Sequence, residues 1–281
     1  MKDELRARVE RRLGVDASAA HEIDEGWDSV VFELAGSWIV RVPRREDVRE
    51  WLRREARLLP ELASLLPVPV PRFEVLEDSD VFFVAYRKLP GEPPGPAPGA
   101  TLARRLGELL RSLHGFPRDR ALELGVESFD AGSWLERERA FAERCRREVA
   151  PLLDADERRR AEEMHGKFFA TWDRALETAL IHGDLGPAHV LRQSRQLTGV
   201  IDWSDACVGD PALDLAWALH GTPMKFAAAL RKSYPVDEAQ FERAGYYHRL
   251  GPWHEVLFGL ERGRPALVES GLAGVRKRLP E

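Results

Sequence analysis

Two aspartates stand where buried chain runs out. In Ile181-His182-Gly183-Asp184-Leu185-Gly186-Pro187-Ala188-His189-Val190-Leu191, Asp184 lies on a glycine- and proline-shaped loop between two apolar stretches. Gly199-Val200-Ile201-Asp202-Trp203 delivers the second aspartate behind another apolar run. A carboxylate beside a buried strand is costly unless it is paired, bound to metal or used in chemistry. Asp184 is placed to orient an attacking hydroxyl or to accept its proton. His189 opens the next strand and Asp202 closes its antiparallel partner, so a hairpin over 190–192 and 198–202 returns both to one rim. Ligands converging there suit a divalent metal that neutralises phosphate oxygens, although imidazole is a softer choice for magnesium than Asn or Asp. A dinuclear hydrolase needs more bridging His, Asp or Glu, and the chain holds no second cluster of them.

A second constellation lies upstream. Alternation over 38–42 sets Trp38, Val40 and Val42 on one face of a strand and Ile39 with Arg41 on the other. Helical spacing over 46–66 sets Glu55 on the apolar stripe of Val48, Leu52, Leu59 and Leu62, with Arg49, Arg53, Arg54 and Arg57 on the outer face. Arg41 and Glu55 are thereby expected to form a buried ion pair, whose disruption costs about 3–5 kcal/mol. The alternative is an edge-strand Arg41 reaching water, with Glu55 at the rim against its neighbouring arginines.

The elements that must position these groups follow from the periodicity. A surface helix over 2–13 precedes strands at 30–34, 38–42, 72–76 and 81–86, with polar turns at 25–29 and 78–80. The segment 89–99, rich in Pro and Gly, is expected to form neither helix nor sheet and to act as a hinge. Beyond it the chain is helical. Thr101 is expected to cap a helix running through Leu113, with His114 as a packing residue at its end. Further helices are predicted from Gly132 or Ser133 to 149, within 157–180, and over 211–220, 225–232, 237–250 and 253–262. The sum is an α+β, two-lobed molecule: a β-rich lobe over 1–89, a hinge over 90–99 and a helical lobe over 100–281. The formal net charge of −5 speaks against a nucleic-acid partner. Two cysteines make no disulfide framework, and no apolar run is long enough to span a bilayer, so a cytoplasmic protein is expected.

His182-Gly183-Asp184-Leu185-Gly186-Pro187-Ala188-His189 resembles the catalytic loop of the aminoglycoside phosphotransferase family, whose fold is like that of protein kinases. Ile201-Asp202-Trp203 resembles its metal-binding segment, and Gly209-Asp210-Pro211-Ala212-Leu213-Asp214 the stretch behind it. His189 replaces the family's usual Asn and resembles the macrolide phosphotransferase branch. The resemblance runs from Gly26 to Ala216.

It implies Asp184 as catalytic aspartate, His189 and Asp202 as ligands of Mg²⁺, and Arg41 in place of the usual strand lysine with Glu55 as its helix partner. It also implies a phosphate-covering turn from Gly26 to Ser29, Tyr86 behind the base of ATP or GTP, and backbone from Arg87 through Lys88 to Leu89 along the purine edge. Asp214 would brace the loop and His182 orient it. The expected acceptor is a cationic antibiotic, an aminoglycoside or a basic peptide of the viomycin and capreomycin type, with Glu136, Glu143, Trp253 and Glu255 as contacts. The other readings are a macrolide kinase, a choline-, homoserine- or sugar-type metabolite kinase, and a nucleotide-binding scaffold.

Overall fold

The structure, a computed structural model, describes residues 1–24, 28–34, 37–77 and 81–281. Gly26 and Trp27 of the expected turn from Gly26 to Ser29 and all of the turn 78–80 lie outside these residues; Asp28 and Ser29 lie within them. Strands β1 (His21–Asp24), β2 (Ser29–Leu34), β3 (Trp38–Pro43), β4 (Glu74–Glu77) and β5 (Phe82–Arg87) form one antiparallel sheet in the order β1-β2-β3-β5-β4. Alternation decides what covers each face. Phe32, Leu34, Trp38, Val40, Phe83 and Ala85 bury one side together with Val9 of helix α1 (Asp3–Leu13). Phe82 and Val84 bury the other under Val48 and Leu52 of α2 (Glu46–Leu65). Arg41 lies on this second face, in register with Val84.

Helix α2 does not end with the small sheet. Its Leu58, Leu59 and Leu62 share one apolar core with Leu102, Leu106 and Leu109 of α3 (Ala100–His114). Arg54 and Arg57, expected on an outer face, reach across to the larger lobe instead, donating to the carbonyls of Ser204 and Leu124 at 3.0 Å each. A long side chain next to a buried stripe can cover it and still find a carbonyl partner.

The larger lobe is built on α3, α4 (Arg118–Glu123), α5 (Ala131–Glu148), α6 (Ala155–Ala170), α7 (Ala212–His220), α8 (Met224–Ser233), α9 (Glu238–Glu261) and α10 (Pro265–Arg278). Two short antiparallel pairs sit among them: β6 (Ala179–Ile181) with β9 (Cys207–Gly209), and β7 (Val190–Gln193) with β8 (Gln196–Val200). Several expectations are corrected. Gly99, extended at φ −87° and ψ 161°, is the N-cap of α3, which leaves Thr101 inside the first turn with no capping bond. The cap of α5 is Asp130, in a reciprocal box with Ser133. The expected helices over 237–250 and 253–262 are one, because α9 runs through Pro252 with Leu250, Trp253, Val256 and Leu257 all buried. Tertiary packing there outweighs the hydrogen bond that proline removes. Helices α4 and α10 were not anticipated. The Pro/Gly segment also pairs: Glu92 and Arg192 exchange both main-chain hydrogen bonds at 2.9 Å, fastening the segment to β7.

Candidate active site

Strands β6 and β9 pair with Ile181 opposite Cys207, so the chain after β6 and the chain before β9 leave from the same end. That end carries Asp184. Gly183 turns the loop with φ +86°, and a Cβ there would run into the Asp205 carbonyl. Asp214, fully buried in the first turn of α7, holds the turn by accepting the amides of His182 at 2.7 Å and Gly183 at 3.0 Å. His114 Nε2 lies 3.2 Å from the same carboxylate, and its Nδ1 lies 2.8 Å from the Tyr234 hydroxyl. His182 Nε2 donates to the Ile201 carbonyl at 3.0 Å, while its Nδ1 accepts the Asp184 amide at 3.3 Å. Burial lowers its pKa, so the ring is a neutral strut linking the two aspartate-bearing segments. Desolvation by the cleft walls raises the pKa of Asp184, and Asp202 and Asp214 push the same way against His189 and His182.

His189 Nδ1 lies 2.6 Å from the Asp184 carbonyl, a distance that fixes the proton on Nδ1. The lone pair is then on Nε2, which lies 3.8 Å from Asp202 Oδ2. Asp202 has left-handed backbone, φ +63°, rare for a residue other than glycine. Desolvation opposes its ionisation, but Arg41, His189 and the Ser204 hydroxyl at 2.9 Å outweigh it and hold the pKa below the usual range. Among the described residues no three His, Cys, Asp or Glu side chains close into a metal cage. One carboxylate and one imidazole nitrogen facing a common point nevertheless fit magnesium, which keeps waters and phosphate oxygens as its remaining ligands.

Arg41 joins the two lobes at this point. Its Nη1 donates to both oxygens of Glu55 at 3.2 and 3.1 Å, and its Nη2 lies 3.3 Å from Asp202 Oδ1. Glu55 also accepts the Trp203 amide at 3.3 Å. Adjacent residues of α2 thus grip both ends of the step after Asp202, Glu55 on the Trp203 amide and Arg54 on the Ser204 carbonyl. Arg54 is the positioning group that periodicity missed, since its partner is a backbone oxygen 150 residues away. Burial drives the Glu55 pKa up to about 7 against Arg41 and the Trp203 amide, while Arg41 stays cationic.

Tyr86 is buried on the same face of the sheet, opposite Ile39 and stacked on Phe73 at 5.6 Å. The Lys88 amide donates to the Ser37 carbonyl at 3.0 Å. By strand alternation, the main-chain groups of Arg87 and Leu89 face the other way. The Arg87 side chain lies over Trp38 on the α1 face of the sheet, whereas that of Lys88 pairs with Glu33, which shares the face of Ile39 and Arg41. The buried Ser29 hydroxyl has no hydrogen-bond partner among the described residues. The four expected acceptor contacts do not assemble. Trp253 is corrected outright: at 2% exposure it is core, and no substrate reaches it without repacking. Glu143 is paired with Arg146 and Glu255 with the Ser270 hydroxyl, while Glu136 is exposed. Asp205, by contrast, sits at the cleft beside Gly183, and desolvation together with Asp184 and Asp202 drives its pKa up to about 6.

A model of the phosphotransferase enzyme family matches residues 19–253. The viomycin phosphotransferase of Streptomyces vinaceus is 27% identical over 280 residues, covering 88% of this chain and 91% of that protein. Among solved structures, the apoenzyme of macrolide 2'-phosphotransferase MphH from Brachybacterium faecium is 27% identical, with a TM-score of 0.73 over 99% of this chain and 98% of that one. The GDP and kanamycin complex of APH(2")-IIIa superposes with a TM-score of 0.85 over 99% and 98% of the two chains; at 24% identity this is a likeness of fold.

Proposed function

Because the chain belongs to the phosphotransferase enzyme family, we propose that it is an antibiotic kinase, transferring the γ-phosphate of ATP or GTP to a hydroxyl of a cationic antibiotic. The observation that carries this reading is the convergence of Asp184, His189 and Asp202 at one rim, with Arg41 reaching that rim from the opposite lobe. The working units are a nucleotide lobe over 1–89, a hinge over 90–99 and an acceptor lobe over 100–281.

Phosphoryl transfer asks a protein mainly for position and charge, with little covalent chemistry. Asp184 orients the acceptor hydroxyl and takes its proton as the new O–P bond forms and the bond to the nucleoside diphosphate breaks. Asp214 and His182 keep that carboxylate in place. Arg41, fixed by Glu55, has further N–H donors for phosphate oxygens. Magnesium held by Asp202 and His189 would supply neutralisation of phosphate charge. Tyr86 backs the base and the Arg87 and Leu89 main chain lines its edge, while Ser29 supplies a hydroxyl toward the phosphates. The similarity to viomycin phosphotransferase favours a basic peptide antibiotic, and His189 with the similarity to MphH favours a macrolide as second reading.

A nucleotide-consumption screen with ATP and GTP side by side, against aminoglycosides, tuberactinomycin peptides and macrolides, tests the reading. Acceptor-stimulated turnover that disappears in Asp184→Ala supports it. The absence of turnover with all three classes moves the assignment to a metabolite kinase.

A further inference from the structure

Arg137 takes no part in the machinery described so far. It stands in α5 one turn after Trp134, its guanidinium 4.4 Å from the centre of the Trp134 ring and 5.7 Å from that of Phe129. Arg144 and Arg146 of the same helix are paired, with Glu148 and Glu261 and with Glu143, whereas Arg139 lies over the Phe169 ring at 5.4 Å. Arg137 is exposed and makes no hydrogen bond or ion pair with any described residue.

Its platform is rigid and tied to the catalytic loop. Trp134 is fully buried, donates its indole N–H to the Tyr247 hydroxyl at 2.8 Å and lies so close to Gly209 that a Cβ there would collide with the ring. Trp134 also shares an apolar cluster with Ile181 and Cys207, the strand residues leading to Asp184 and away from Asp205. The charge of Arg137 is felt at both Cys207 and Asp205. Asp205 is itself exposed, without ion pair or hydrogen bond among the described residues. A cation and an anion therefore stand unpaired near the loop that carries Asp184, and they do not close on each other.

A guanidinium lying flat on a ring keeps its in-plane N–H donors for a ligand. We propose that Arg137 is a recognition residue for the acceptor, and that the acceptor carries a carboxylate or closely spaced amide carbonyls near its reactive hydroxyl, with an ammonium directed to Asp205. Peptide antibiotics and hydroxylated amino acids have both groups. An aminoglycoside offers amines and hydroxyls only, so Arg137 repels it. The inference rests on the kinase reading and narrows its substrate to a peptide or amino-acid type.

The test measures kcat and KM of the full-length protein and of Arg137→Gln, Arg137→Lys and Arg137→Met with viomycin, kanamycin and homoserine as acceptors. The expected result is a kcat/KM at least ten times higher for viomycin or homoserine than for kanamycin. Arg137→Gln and Arg137→Met should raise the KM for the favoured acceptor about tenfold, with kcat and the nucleotide KM within about threefold, and Arg137→Lys should recover part of the loss. Arg137→Met keeps the cover over Trp134, so an unchanged KM in that variant overturns the inference. Kanamycin turnover that is unaffected by Arg137→Gln also overturns it and leaves the kinase reading standing. Turnover of homoserine alone, dependent on Arg137, sustains the inference and removes the antibiotic. No turnover of any acceptor removes both.

Discussion

Glu55 in α2 and Glu138 in α5 are both buried carboxylates whose environment lifts their pKa to about 7, and they differ in what surrounds them. Glu55 is held by Arg41 and by the Trp203 amide. Glu138 is packed near Trp134, Tyr246 and Tyr247, with Arg137 favouring its charge and Asp210 opposing it, and has no ion pair among the described residues. On the nucleotide side, charge is buried in fixed partnerships that hold Asp202. Around Trp134 in the larger lobe, Arg137 and Asp205 are exposed without an ion pair among the described residues and Glu138 is buried and pushed toward neutrality. On the proposed reading, donor chemistry demands one fixed geometry, whereas the unpaired groups near Trp134 are available to an acceptor.

The contrast breaks in measurable ways. On the proposed mechanism Asp184→Ala removes the group that orients the acceptor hydroxyl, and turnover is expected to fall by about 10³–10⁴ in steady-state kinetics. Its thermal melting should stay near that of the parent, because the loop is braced through Asp214 and His182. Arg41→Ala strands Glu55 without a cation and should lower stability by about 3–5 kcal/mol in denaturant titration. The double variant Arg41→Met with Glu55→Leu should recover most of that stability and none of the turnover. Recovery of both would show that the pair serves folding alone.

Glu138 predicts the opposite pH behaviour to a carboxylate whose pKa is held down, such as Asp202. Its folded pKa is raised from the ordinary glutamate value of 4.5 to about 7, so its contribution is intact below 4.5 and is lost as pH rises through 7. Glu138→Gln should therefore gain on the parent protein between pH 5 and pH 8, by up to about 3 kcal/mol in melting experiments. A constant difference across that range would place Glu138 in solvent or in an ion pair. The smallest effect is expected at His189. An Asn side-chain amide can also donate to the Asp184 carbonyl, so His189→Asn should keep turnover within about 10–100-fold and chiefly shift the magnesium concentration required. A loss as complete as that of Asp184→Ala would make His189 more than a replaceable ligand.

Much of the site is legible in the chain because it is written in short, regular segments. Strand alternation places Arg41 on the inner face and helical spacing places Glu55 on the buried stripe, and the two meet at 3.1 Å. The glycine before Asp184 and the hairpin after His189 follow from local backbone chemistry. The acceptor side is less legible. Glu136, Glu143, Trp253 and Glu255 are chosen by charge or aromaticity on helices, where a side chain's surroundings depend on which neighbour packs against it. Trp253 proves to be core, and Arg137 and Asp205 carry no sequence signal that separates them from surface charges.

Residue types and spacing by themselves determined an α+β, two-lobed molecule with Asp184 and Asp202 on adjoining segments, and the resemblance of those segments to a known family implied the phosphotransferase. Only the tertiary structure decided that α2 is anchored to the larger lobe through Arg54 and Arg57, that the proline-rich segment pairs with β7, and that α9 continues through Pro252. It alone set Arg137 and Asp205 free beside the catalytic loop. Periodicity reports the side of an element on which a residue lies and is silent on the element that meets that side; long-range backbone acceptors such as the Ser204 carbonyl exist only once the chain has closed.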